Sequence, residues 1–285
     1  MLSIIIPTYF SGKKLKLLLP LLSNLNILNE IIIVDTDSKD DTIKVASNYT
    51  DKIIRLKKSE FTHGKARLKG ALISKYNYLI YLTDDALPVN YNGSNSLEVL
   101  LRSFNNDNVA AVCGRQIPFA ETNPFGKHLR YFNYPEHSFE RTYEDKEKYG
   151  FKTVFMSNSF AAYRRDYLEE IGWFPEDLMF GEDSHACAKL LMKGYKIMYN
   201  SDAVVYHSHS YSIKEEFKRY IEVGKFHSHQ KWLLDEFGKP ESEGIKFLKS
   251  EFRYLIKNGH YLSLLQQPFR AVAKYLGYKI GYTYG

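Results

Sequence analysis

Five short apolar runs constrain this chain more than any other feature. They are LSIII (Leu2–Ile6), EIIIV (Glu30–Val34), KIIRL (Lys52–Leu56), YLIYL (Tyr78–Leu82) and VAAVC (Val109–Cys113). Unbroken apolar runs of this length fit strands covered on both faces, as in a parallel sheet, whereas one-sided strands alternate. Helical patterns fill the gaps. Leu15, Leu18, Leu19, Leu22 and Leu25 recur at helical spacing, DSKDDTIKVASNY reads as a capped helix start, and GKARLKGALISKY as a further helix. Alternating strands and helices predict an α/β fold with a doubly wound, Rossmann-like, mostly parallel sheet. Strand signals return at KTVFMSNSFAAYRR and KIMYNSDAVVYH, on either side of a helix-like EDSHACAKLLMKG that Gly194 would stop. Between them, 119–150 is aromatic, charged and without period, and reads as a functional excursion. From Ser212 the pattern is helical and amphipathic to about Leu265, then aromatic and basic.

Composition narrows the class. No apolar run approaches the ~18 residues of a membrane span, and the Met1 start leads straight into a strand, so no signal peptide is expected. Cys113 and Cys187 sit in apolar contexts without metal-like spacing, which suits reduced core thiols in a cytoplasmic protein. The formal charge of +6 is localised: from Lys246 onward seven cations face Glu251 alone, and that stretch accounts for the whole excess. The rest is neutral and the basic tail shows no recognition module, so nucleic acid is not an expected partner.

In a doubly wound sheet, ligands bind outside the carboxyl ends of the strands, where strand order reverses. Those ends are polar here. The first strand ends in Pro7-Thr8-Tyr9, the second in Asp35-Thr36-Asp37-Ser38 and the fourth in Thr83-Asp84-Asp85. Adjacent carboxylates on a turn suit a hard divalent ion that keeps positions open for phosphate oxygens. No Walker loop or GxGxxG turn is present, which leaves a metal-held diphosphate as the economical reading. Around Gly64, His63, Lys65 and Arg67 cluster at an apparent helix start, a ready anion site. Glu182 and Asp183 open another helix, where an acid caps the amides or serves as a general base toward a hydroxyl. His207 and His209 alternate at a strand end and would complete a metal site.

Taken together, IIIPTY, VDTDSKDDT, HGKARLKGA, TDDA and GED occur in the order seen in glycosyltransferase family 2, the inverting enzymes of the GT-A fold, and the chain resembles that family. FTHGKARLKGA, YLTDDALP, the stretch from VFMSNSF to LLMKGY and AVVYHSHSYSIKEEFKRY are more closely similar to its bacterial rhamnosyltransferases, which use dTDP-L-rhamnose to build cell-surface polysaccharides. The resemblance implies a GT-A catalytic domain over 1–211, with a nucleotide-sugar half to about 115 and an acceptor half beyond it, and a helical basic extension over 212–285. It places Thr8, Tyr9 and Asp35, with Pro7 and Asp37 beside them, on the base and ribose. Arg67, in the group of His63, Gly64 and Lys65, falls near base and phosphates. Asp85, with Asp84 and His207, becomes the ligand set for Mg²⁺ or Mn²⁺. Asp183 is the base, with Glu182 the second candidate. Asn158, Tyr131 and His209 are assigned to the acceptor. The chain departs from the pattern in Asp35-Thr36, where many relatives carry two aspartates, in Leu68 for the usual asparagine, and in Thr83-Asp84-Asp85 for a strict Asp-x-Asp.

The expected reaction is transfer of a sugar from a dTDP-sugar donor to a glycan or lipid-linked glycan. Tyr131, Tyr134, His128 and His137 would lend ring faces to the acceptor. The basic, aromatic tail is read as a helical cap on the core and as an element that meets anionic lipid, being long enough to do each in part; the latter implies a peripheral position on the inner face of the cytoplasmic membrane. A homo-oligomer is compatible with the sequence. A sugar nucleotidyltransferase would share a wound sheet and acidic metal site, but it usually opens with a glycine-rich loop, and IIIPTYFSGKK has one glycine. A non-catalytic sugar-nucleotide scaffold would be free to lose Glu182-Asp183, which are intact.

Overall fold

The structure is a computed structural model describing residues 1–25, 29–91, 93–239 and 241–285. In chain order it begins β1 (Leu2–Thr8), α1 (Gly12–Ser23), β2 (Asn29–Thr36), α2 (Thr42–Ala46), β3 (Ile53–Leu56), α3 (His63–Leu72) and β4 (Tyr78–Leu82). Then come β5 (Leu87–Pro88), a ribbon of β6 (Asn90–Tyr91) and β7 (Ser94–Asn95), α4 (Ser96–Arg102) and β8 (Val109–Ile117). The middle runs α5 (Pro124–Asn133), β9 (Phe139–Arg141), α6 (Lys146–Tyr149), β10 (Phe160–Arg164), α7 (Arg165–Glu170), α8 (Glu182–Met192) and β11 (Lys196–Tyr206). The chain closes with α9 (Ile213–His229), α10 (Lys231–Phe237), α11 (Glu241–Lys257) and α12 (Tyr261–Tyr284).

These elements gather into two compact units. One comprises Met1–Gln116, Glu136–Tyr143 and Phe155–His207, the other Ile117–Pro135, Glu144–Val154 and Ser208–Gly285. In the first unit the sheet order is β3-β2-β1-β4-β10-β8-β11-β5, with β9 on β11. The apolar runs behave as their composition demands: Ile4, Ile5 and Ile6 of β1, Ile32 and Ile33 of β2, and Leu79 to Leu82 of β4 are all fully buried. Leu15, Leu18, Leu19 and Leu22 cover them from α1. β1 pairs in parallel with β2 on one side and β4 on the other, so the order reverses beside β1. Beyond β4 the sheet turns antiparallel, because β10 runs against both β4 and β8. That reversal brings the start of β10 to the carboxyl end of β4, where the Thr83 amide donates to the Ser159 carbonyl at 3.2 Å.

The strand expected across 152–165 is confined to β10. Thr153 and Val154 are consecutive fully buried residues of a 3-10 turn, an arrangement a half-covered strand does not allow.

The second unit is helical. α9 and α12 approach so closely that a Cβ on Gly281 would lie 2.0 Å from the Ile221 carbonyl oxygen, and one on Gly277 2.5 Å from that of Phe217. Arg270 and Lys274 of α12 hold Glu216 of α9 at 3.0 and 3.4 Å. His128 of α5 is buried among Phe132, Phe247 and Tyr254 and bonds the Ser250 hydroxyl at 2.9 Å. Burial, with Lys274 nearby, drops its pKa to about 4. His128 and Tyr134 are therefore packing residues of this unit, not rings offered to a sugar.

Candidate active site at the switch point

The carboxyl ends of β1 and β4 flank the reversal of strand order, and side chains tie them together. The Ser11 hydroxyl, just past β1, donates to Asp84, just past β4. Lys14 of α1 reaches the same pair, its Nζ 3.0 Å from Asp84 and 3.9 Å from Asp85. Two adjacent carboxylates repel, and here a lysine ammonium lies against both. Burial raises the Asp84 pKa and Asp85 adds to that rise, while Ser11 and Lys14 oppose it.

On its other side Asp85 Oδ1 lies 3.4 Å from His207 Nε2. His207 is buried, and its Nδ1 is 2.8 Å from the Gln116 carbonyl oxygen. Gln116 is itself buried and donates its amide to the Ser157 hydroxyl at 3.0 Å. With the Gln116 oxygen toward His207, a proton on Nδ1 would leave the Nε2 lone pair for a metal held together with Asp85. A carboxylate and an imidazole nitrogen converging within 3.4 Å fit the ligand chemistry of Mg²⁺ or Mn²⁺.

The nucleotide-side candidates sit at the ends of β1 and β2. Asp35 is buried with both oxygens engaged, by the Thr8 hydroxyl at 3.1 Å and the Ser38 amide at 3.0 Å. Pro7 precedes this pair within β1, and Asp37 follows it with a positive φ of 52° and an ion pair to Lys39. Tyr9 is exposed and accepts from Lys58 Nζ at 2.9 Å. Phe10, beside it, is exposed at φ 50°, its amide held by the Ser38 hydroxyl at 2.8 Å. A large side chain in the left-handed region is strained, and such strain concentrates at ligand sites.

α3 begins with Thr62, whose hydroxyl caps the Lys65 amide at 2.9 Å. Gly64 is buried where a Cβ would lie 1.8 Å from the Pro175 carbonyl oxygen, so it permits a close backbone crossing. Lys65 lies 3.7 Å from Glu176, and the ring of His63 packs edge-on to Phe61. Arg67 points inward and pairs with Glu182 at 3.0 Å, both buried.

The Glu182–Asp183 pair at the start of α8 is split by this environment. Glu182 is clasped by Arg67 and by the Asn158 amide at 3.0 Å. Burial alone would raise its pKa, but Arg67, His63 and Asn158 outweigh burial and hold it below the usual carboxylate range. Asp183 accepts the Ser184 backbone amide at 2.8 Å and, more weakly, the Asn158 backbone amide at 3.4 Å. Desolvation, reinforced by the Glu182 charge, pushes its pKa up to about 7. One acid is an ionised structural anchor; the other is poised to exchange a proton near neutrality.

Of the residues assigned to the acceptor, Asn158 is buried and accepts from Tyr163 Oη at 2.8 Å, so it braces the acid pair from below. Tyr131 and His209 belong to the helical unit, where Tyr131 is exposed on α5 near Tyr254 and His209 stacks on Tyr211 at 5.1 Å. Sequence reading missed Ser11, Lys14, Ser38, Gln116 and Tyr163. The bonds that place Ser11, Lys14, Ser38 and Gln116 in the site reach Asp84, Asp84, Phe10 and His207, 28 to 91 residues away, which no local pattern shows.

Comparison with known proteins follows the same lines. Residues 3–172 match the profile of glycosyl transferase family 2. The O-antigen chain rhamnosyltransferase WbaN of Salmonella anatum is 43% identical over 254 residues, covering 89% of this chain and 79% of the relative. RfbN of Salmonella typhimurium, also an O-antigen chain rhamnosyltransferase, is 40% identical over 283 residues, covering 98% and 89%. Among solved structures, mannosyltransferase PcManGT from Pyrobaculum calidifontis, in complex with GDP-Man and Mn²⁺, superposes with a TM-score of 0.63 at 15% identity, covering 97% and 86%. S. aureus TarS 1-349 in complex with UDP-GlcNAc gives 0.61 at 17%, covering 100% and 93%.

Proposed function

The chain belongs to glycosyl transferase family 2, and on that premise we propose that it transfers L-rhamnose from dTDP-L-rhamnose to a hydroxyl of a growing, lipid-linked O-antigen chain, inverting the anomeric carbon. The sugar and polymer rest on the names of relatives at 40 and 43% identity. The chemistry rests on one observation: of two adjacent acids at a helix start, Arg67 ties down Glu182 while Asp183 is left with a pKa of about 7.

In this reading the base and ribose lie along the ends of β1 and β2, against Thr8, Tyr9, Asp35 and Asp37. Pro7, His63, Gly64, Lys65 and Arg67 shape the donor side. Asp85 and His207, with Asp84 beside them, would hold Mg²⁺ or Mn²⁺, which when bound neutralises charge on the departing diphosphate. Gln116, 2.8 Å from His207 Nδ1, would hold that ring in place as a ligand through Nε2. Lys14, already against both aspartates, would offer its ammonium to the diphosphate oxygens. Asp183 takes the proton of the acceptor hydroxyl as its oxygen forms a bond to the anomeric carbon. The bond from that carbon to the diphosphate breaks, and the electron pair leaves with dTDP. A single displacement of this kind inverts the centre. Asn158, Tyr131 and His209 lie on the acceptor side of the assignment, Asn158 through the acids it braces.

No helix among the described residues is long and apolar enough to cross a membrane. A lipid-linked acceptor then calls for a peripheral position on the inner face of the cytoplasmic membrane.

The test is transfer from dTDP-L-rhamnose with Mg²⁺ or Mn²⁺, compared with UDP- and GDP-sugars and with Asp85→Asn. Rhamnosyl product from dTDP-L-rhamnose alone, and loss of metal-dependent donor binding in the folded variant, are the expected results. Equal use of UDP-GlcNAc or GDP-mannose would move the donor assignment. Unchanged donor affinity of Asp85→Asn with and without EDTA would remove Asp85 from the metal site.

A further inference from the structure

The inner side of α12 is fully used: Gly277 and Gly281 meet α9, and Arg270 is buried on Glu216. Its outer side is not. Leu262, Leu265, Phe269, Val272 and Leu276 recur every three or four residues on a single helical face, and the first three are 81%, 69% and 67% exposed. Exposed Phe252 and Ile256 extend the apolar surface onto α11. A groove of about 450 Å³ between the two helices is lined by Phe252, Pro268 and Ala271 together with the cations Lys249 and Arg253. Lys257 continues that row along α11 at helical spacing, while Lys246 is paired with Glu243 at 2.6 Å. From Gly244 to Gly285 the one acidic residue is Glu251, and it is 1% exposed.

Apolar patches of this extent are uncommon on soluble surfaces unless something covers them. Charge selects the cover. A second copy docked symmetrically would bring Lys249, Arg253 and Lys257 against their own counterparts, the α11 acid Glu243 being already paired with Lys246 and Lys152, whereas helix pairs that associate carry both signs along their edges. An anionic bilayer meets both features, with headgroup phosphates for the cations and acyl chains for the stripe. We propose that the outer face of α11 and α12 docks in the plane of an anionic phospholipid membrane, with a lipid phosphate between Lys249 and Arg253 and the Leu262–Leu276 stripe sunk to the acyl boundary. This rests on the proposed membrane location and not on the choice of sugar.

The full chain is mixed with vesicles of phosphatidylcholine, with or without phosphatidylglycerol, and sedimented. Two variants accompany it, Lys249→Glu/Arg253→Glu and Leu265→Asp/Phe269→Asp, all at exposed positions, with thermal melting as the check on folding. The wild type is expected on phosphatidylglycerol vesicles and to be released by salt, with at least about tenfold weaker partitioning in each folded variant. Transfer to a water-soluble acceptor is expected to be unchanged in both variants. Its loss in the wild type would strike the sugar reading and leave the docking face standing. Equal vesicle binding by wild type and folded variants would overturn the proposal, as would a wild-type dimer in solution that the apolar variant breaks.

Discussion

Glu182 and Asp183 are neighbours in sequence and opposites in chemistry, and the difference comes from what each carboxylate faces. Removing the Glu182 charge leaves Arg67 buried and unpaired, so Glu182→Gln is expected to cost about 3–5 kcal/mol of stability. Asp183→Asn should act in the other direction. The folded-state pKa of Asp183, about 7, stands above its ordinary 3.8. The folded form therefore holds a proton that the unfolded chain releases, and stability from this group declines as pH climbs from about 4 to 7. At pH 8 Asp183→Asn should melt no lower than the wild type. As a base, Asp183 must be ionised, so wild-type transfer should fall as pH drops through about 7. In Asp183→Asn turnover should be lower by ~10²–10⁴-fold, with donor binding kept. Near-normal transfer by that variant would take the base role from Asp183. The sequence alone marks this pair because an acid after glycine at a helix start is a local pattern. It cannot separate their roles, since the separating groups, Arg67 and Asn158, are 115 and 24 residues distant from Glu182 in the chain.

At the scale of elements, the strands were readable because covering both faces demands an unbroken apolar run, and that demand is local. The C-terminal helices were read less fully. Their apolar positions announce amphipathic helices, but GYKIGY looks like an aromatic tail until Gly277 and Gly281 are seen as one turn of spacing facing α9. Gly224, on α9, completes the crossing: a Cβ there would lie 2.3 Å from the Tyr278 carbonyl oxygen. By propensity alone alanine should improve a helix over glycine by about 1 kcal/mol. Here Gly281→Ala sets a methyl against the Ile221 backbone, which has no rotamer to yield, and overpacking of this sort costs about 1–3 kcal/mol or more. The expected net result is a lower melting temperature for Gly281→Ala, and a deeper drop for Gly281→Leu. A rise in melting temperature for Gly281→Ala would show that the helices separate freely. The tail is thus both core and surface, which makes its truncation a poor test of membrane binding and outer-face substitutions a sound one.

At the scale of the whole chain, the two units draw on interleaved segments, and the helical one takes 117–135 and 144–154, which overlap most of the stretch 119–150 that reads as a functional excursion. No local period identifies those segments as helical-unit material, because buried groups such as His128 find their partners far along the chain. The donor residues, Asp84, Asp85, His207 and the acid pair, from Pro7 to His207, all lie in the first unit, while His209, Gly224 and Gly281 lie in the second. A nucleotide binds the native state of the unit that holds it, and at 100 times its Kd adds about 2.7 kcal/mol to that unit's stability. If the units unfold separately, calorimetry should resolve two transitions. dTDP with Mn²⁺ should raise one of them and leave the other in place. Gly281→Leu should lower the transition that the nucleotide leaves unmoved, and Glu182→Gln the one that it raises. A single transition shifted by the nucleotide and by both substitutions alike would mean that the two units fold as one, and the assignment of separate stabilities would fail.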